Sequence, residues 1–214
     1  MIEGDIETSG DDQGHQGDGQ QFQRLDRFGR PDAYADRQLR TWSGQWALVA
    51  SGPSPYADQL LRGLSEHVPT QVSATIVHGD YRVDNTLLDL HDPGLVRAIV
   101  DWELSTIGDP VADVAMMCAY RHPGLDLVLG AQAAWTSARL PSVEDLAGMY
   151  EAAAGIPLDH WEFYLGLSYY KLAVIAEGIH HRYQQGATVG EGFDGAGESV
   201  TAFLEAGLRH VAGR

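Results

Sequence analysis

The sequence predicts an α+β domain that is mainly helical and carries one small β-hairpin. Three observations carry this. Apolar residues recur about every 3.6 positions through most of the chain. Between residues 74 and 102 the pattern changes to short β-branched and apolar runs, and HDPG at 91–94 supplies turn chemistry between two of them. A chain of 214 residues is long enough to bury one sizeable core.

The elements follow in order. Residues 1–21 hold Glu3, Asp5, Glu7, Asp11, Asp12 and Asp18 with no Lys or Arg. Such a composition buries too little apolar surface to offset ordering entropy, so an acidic, flexible tail is expected, with the folded domain at 22–214. After Pro31, Tyr34, Leu39, Trp42 and Trp46 space as a helix, and Asp32 is the expected cap. Leu60, Leu61, Leu64 and Val68 mark a second helix, ended by Pro69. ATIV (74–77), TLLDL (86–90) and VRAIVDW (96–102) read as short strands. Further helices are expected from Asp109 to Tyr120 and from Ser142 to Ala154, the latter with a capping box of Ser142 and Asp145 and a Gly155 stop. A long helix should run from Asp159, capped with Glu162, to Gly186, and a last amphipathic one from Ser199 to about Val211.

Composition narrows the function. Thirty acidic residues against fourteen basic ones give a formal charge of −16, which repels phosphate backbones and anionic lipid, so nucleic acid and membrane surfaces are poor partners. Cys118 is the single cysteine, which excludes an internal disulfide framework and fits a small buried hydrophobe in a reducing compartment. The first ten residues lack the basic start and apolar core of a signal peptide. A cytoplasmic location is the expectation.

The chemistry concentrates in VHGDYRVDN, residues 77–85, directly behind an apolar run. Moving a phosphoryl group from ATP to a hydroxyl needs a carboxylate at the acceptor proton and oxygen ligands for magnesium on the phosphates. His78, Asp80 and Asn85 have the His-x-Asp-x4-Asn spacing of a kinase catalytic loop. A second carboxylate, Asp101, follows the apolar Ile99 and Val100. Taken singly, Asp80 and Asn85 read as turn formers and His78 as structural. The joint spacing favours the site.

HGDYRVDN, IVDWELSTIGDPVADVA and FGRPDAYADRQLRTWSGQW together resemble the aminoglycoside phosphotransferase and choline-kinase-like family, in the branch of kinase-like domains associated with acyl-CoA dehydrogenases. The resemblance runs from about Phe28 to Tyr183. It implies the C-terminal lobe of a protein-kinase-like fold, with the hairpin carrying the catalytic and metal loops. It implies ATP and Mg2+ as cofactors, a small-molecule hydroxyl as acceptor, Asp80 as base, and Asn85 and Asp101 as metal ligands. His78 would brace the loop, Asp113 would hydrogen-bond it, and Asp109 would cap the helix that carries Asp113. The acidic balance would suit a cationic acceptor such as an aminoglycoside.

The nucleotide lobe of such an enzyme carries a phosphate-pairing lysine. Lys171 is the only lysine, 86 residues after Asn85 and within the long helix. The expectation is therefore that the N-terminal lobe is absent from this chain, that activity of the chain alone is doubtful, and that an exposed apolar interlobe surface promotes self-association. The alternative function is a non-catalytic relative serving as a binding or interaction module. Asp80, as a loop residue open to solvent, is expected to have few partners whose loss would cost stability.

Two decoys are set aside. GEGFDG at 190–195 matches a dinucleotide pattern but follows a helix where a strand is required, and its carboxylates repel phosphate. His180 and His181, adjacent on a helix, point about 100° apart and are poorly placed to share an ion.

Overall fold

The computed structural model describes residues 28–188 and 192–211. The expected tail and residues 190 and 191 of the GEGFDG segment lie outside the described residues. Among those described, the chain forms α1 (Tyr34–Val49), α2 (Pro55–Glu66), β1 (Thr75–Val77), β2 (Thr86–Leu88), β3 (Val96–Ile99), β4 (Thr106–Gly108), α3 (Pro110–Ala119), α4 (Gly124–Leu129), α5 (Val143–Ala154), α6 (Trp161–Gln184) and α7 (Ala196–Val211). The protein is mainly helical with small antiparallel sheets, as its sequence pattern predicts. No described helix is long and apolar enough to cross a membrane.

The 24-residue α6 forms the spine, packed by α1, α2, α3 and α7. Tyr164, Leu165, Tyr170 and Leu172 of α6 interdigitate with Leu60 and Leu64 of α2 and Phe203 and Leu204 of α7 in the buried core. Tyr169 and Tyr170 are core residues, and Trp42, Trp46 and Trp161 pack against that core.

The strands form two ribbons, β1 with β4 and β2 with β3. β4 has no signal in the sequence beyond three residues, Thr-Ile-Gly, and it forms by pairing with β1 from Thr75↔Gly108 to Val77↔Thr106. This topology decides where the chemistry lies. The chain crosses from one ribbon to the other through residues 78–85, turns in the hairpin, and crosses back through residues 100–105. Both crossings lie at the same junction.

Helix ends show where local reading succeeds. Asp109 accepts from the Val111 amide at 3.0 Å, Ser142 and Asp145 form the full capping box, and Gly155 ends α5 at φ 64°. Two expected caps are corrected. Asp32 does not cap α1: Ala33 is the N-cap residue, at φ 52°, and the Tyr34 amide donates to the Gln71 side chain at 2.9 Å. A side chain 37 positions away does the work, which no local pattern reveals. Asp159 does not cap α6 either. His160, at φ 58°, is its N-cap without a side-chain bond, and Glu162 is drawn instead to His210 of α7 at 2.7 Å. α7 starts at Ala196, earlier than the expected Ser199, which lies buried inside the first turn and bonds back to the Ala196 carbonyl. The short helix α4 was not expected.

Candidate active site

The first crossing is shaped by its glycine and by α3. Gly79 has φ +87°, and a Cβ there would meet the Leu104 carbonyl at 2.7 Å, so this step of the loop admits only glycine. The Asp113 carboxylate accepts the amides of His78 and Gly79, the latter at 2.8 Å. Burial raises the Asp113 carboxyl above its ordinary range, while the two amides pull it down.

His78 is 3% exposed and ties the two crossings together. Its Nε2 meets the Val100 carbonyl at 2.8 Å, and its Nδ1 accepts from the Asp80 amide at 3.3 Å. A carbonyl can only accept, so the proton belongs on Nε2. The ring packs on Trp102 with centroids 4.7 Å apart.

Asn85 is buried, and its Nδ2 donates to the Asp80 carbonyl at 2.8 Å and to Asp80 Oδ2 at 3.2 Å. Both partners are pure acceptors, so the amide nitrogen faces them and Oδ1 is turned away, free to act as a ligand. The Asn85 carbonyl accepts the Val100 amide at 2.9 Å, extending the β2–β3 ladder by one step. Asp101 is therefore the next residue along the facing strand. It is exposed, holds φ 66°, and among the described residues no donor reaches its carboxylate. Left-handed backbone on a non-glycine residue is stored strain and concentrates at functional positions.

Asp80 departs from expectation. It is not a loop residue with few partners: the Tyr120 hydroxyl donates to Oδ1, the Asn85 amide to Oδ2, and Arg82 Nε lies 3.6 Å from Oδ2. Arg82 also reaches Asp84 at 3.5 Å and lies over the Tyr120 ring at 5.6 Å. Sequence reading missed both residues. Tyr120 could have been found, because it lies seven positions after Asp113, two turns on along the same helix face.

A cavity of about 500 Å3 opens behind the loop, bounded by Ile76, Ile99, Trp102, Val114, Met117 and Tyr150. Its one carboxylate is Asp113, already engaged by amides, so this cavity holds no acidic groove for a polycation. His180 and His181 each pair with the glutamine four residues on, Gln184 and Gln185.

Lys171 is partly buried in α6, with its ammonium 5.3 Å from the Trp42 ring centre. Burial lowers its pKa from 10.5, and the charges of Asp113 and Asp80 oppose this. Between the folded value and 10.5 the unfolded chain holds a proton that the folded chain lacks, so stability rises with pH across that window. Lys171→Met is expected to be more stable than wild type at pH 7, by roughly 2–4 °C in Tm for each ~1 kcal/mol of burial cost removed. The advantage should shrink as pH approaches 10. Thermal melts of both proteins from pH 7 to 10 check this, and a constant difference contradicts it.

The profile of the phosphotransferase enzyme family (APH) matches residues 13–152, more than half of the chain. The chain belongs to that family. The phosphotransferase-family chain is 38% identical over 162 residues to mouse acyl-CoA dehydrogenase family member 10, covering 74% of this chain and 15% of that protein. It is 32% identical over 190 residues to human acyl-CoA dehydrogenase family member 11, covering 87% of this chain and 24% of that protein. The chain thus spans a quarter or less of the length of these curated relatives. A crystal structure from Ralstonia eutropha JMP134, named provisionally as an aminoglycoside phosphotransferase, superposes with a TM-score of 0.75 at 30% identity, covering 90% of this chain and 60% of that one. The fold is that of the kinase-like phosphotransferases.

Proposed function

We propose that this phosphotransferase-family chain is a catalytic-loop lobe for transfer of the γ-phosphoryl group of ATP to a hydroxyl on a small molecule. The observation that supports it most is the shared junction: Asn85 is bonded to Asp80, and its backbone bond to Val100 brings Asp101, one residue on, to the facing crossing. Asp80 would accept the hydroxyl proton and orient the attacking oxygen. Asn85 and Asp101 offer the hard oxygen donors that magnesium selects, and would hold it. Magnesium, when bound, neutralises charge on the phosphates. His78 and Asp113 keep the two crossings in register and so fix the spacing of base and ligands.

The charge of −16 speaks against nucleic acid and membrane partners. The β2–β3 ribbon and the crossing after it expose Leu88, Val96, Ile99, Trp102 and Leu104, apolar surface on which self-association is proposed. A rival reading, a relative that binds without transferring phosphate, draws on the engagement of both Asp80 oxygens.

One assay separates them. The 214-residue chain is incubated with Mg·ATP, and hydrolysis is followed with water or simple alcohols as acceptor, beside Asn85→Ala. Slow turnover, lost in Asn85→Ala and on chelation, is expected. Nucleotide binding should be no tighter than about millimolar, near −4 kcal/mol, because the described site presents one wall to the nucleotide. Turnover undiminished in Asn85→Ala overturns the metal assignment, and none by wild type favours the rival.

A further inference from the structure

Resting on the reading above, we infer that Tyr120 is a positioning residue that holds the Asp80 carboxylate in its working orientation. Helix α3 grips the loop twice. Asp113 takes the backbone amides at the loop's entry, and Tyr120, two turns on, donates its hydroxyl to Asp80 Oδ1. A loop fixed only by its backbone would leave the carboxylate free to turn about its last bond. Tyr120 removes that freedom from one oxygen and Asn85 from the other.

The hydroxyl is a dedicated donor. Tyr120 is 7% exposed, and burial, followed by the charge of Asp80, pushes its phenol well above the ordinary tyrosine range. It keeps its proton at any working pH. A carboxylate offers about four acceptor positions, so two anchoring bonds leave a lone pair on each oxygen for an acceptor hydroxyl. Phenylalanine would fill the same buried space, which makes the hydroxyl the part that serves Asp80.

The other charged or titratable groups near Asp80 are Arg82, Asp84 through Arg82, Asp113, Lys171 and His78 through Nδ1. Among the described residues Tyr120 alone donates to Oδ1. Without it, Arg82 is the competing partner: its Nε is buried without a hydrogen bond and already lies 3.6 Å from Oδ2. Asp80 would turn to close that pair and move off the acceptor.

The test is Tyr120→Phe in the full chain. With Mg·ATP and water as acceptor, kcat is expected to fall about 10- to 100-fold with KM for Mg·ATP unchanged, the mark of a misplaced group rather than a lost binding contact. The control is Tyr164→Phe, which removes a comparable hydroxyl bond, to Asp109 at 3.0 Å, and should lower Tm without that split. Two readouts need no turnover. The 13C resonance of the Asp80 side-chain carboxyl, assigned through Asp80→Asn, should move in Tyr120→Phe. The stability cost of Tyr120→Phe should largely vanish in the Asp80→Ala background, where no acceptor for the hydroxyl remains. If wild type shows no turnover, the functional reading fails and the resonance and the cycle still decide the inference. An unmoved Asp80 resonance, additive stability costs, or a kcat within twofold of wild type overturns it.

Discussion

Asp80→Ala is expected to lower any transfer rate by about 10²- to 10⁴-fold, the usual contribution of a positioned base. It should lower stability too. The sequence pointed to a solvent-open aspartate with little to lose, but in the structure the change strips the Tyr120 hydroxyl and one acceptor of the Asn85 amide of their partner. A donor left unsatisfied in a buried place costs about 1–3 kcal/mol. Arg82 would also lose one of its two carboxylates, leaving Asp84. Chemical denaturation beside single-turnover transfer measures both effects. Wild-type stability in Asp80→Ala would show that Tyr120 and Asn85 do not engage the carboxylate.

That correction shows what a sequence can and cannot expose. The spacing of His78, Asp80 and Asn85 is local, so the motif was legible, and so was Asp101, because an apolar run announces the strand that delivers it. Asp113 was legible through the motif that carries it, and the structure places its carboxylate on the His78 and Gly79 amides. The capping box of Ser142 and Asp145 and the Asp109 cap were legible because both ends of each bond lie within three residues. What failed was nonlocal. Gln71 caps α1 from 37 positions away, and the Tyr120 hydroxyl reaches Asp80 across 40. β4 exists only because β1 lies beside it. Tyr120 has a helical period in its favour, but a buried tyrosine on an apolar helix reads as core until its hydroxyl is seen to have a partner.

Asp113→Ala is expected to be the most destabilising single change at the site, because it removes two bonds that nothing else can replace. The amides of His78 and Gly79 both end on this carboxylate, and Gly79 holds φ +87° where a Cβ would meet the Leu104 carbonyl. The backbone cannot turn those amides toward water without abandoning that conformation. At about 1–3 kcal/mol for each unsatisfied buried donor, the loss is roughly 2–6 kcal/mol, partly offset by relief of the cost of burying the charge. Loop displacement would carry Asp80 with it, so transfer should fall as well, but as a consequence of unfolding the loop. Asp113→Asn separates the contributions: its amide oxygen can still accept one of the two N–H groups, so about half the stability should return. Denaturant midpoints for the three proteins give the order wild type, Asp113→Asn, Asp113→Ala. If Asp113→Ala proves no less stable than Asp80→Ala, the loop is held by its own turn chemistry, and α3 is a neighbour of the site rather than its foundation.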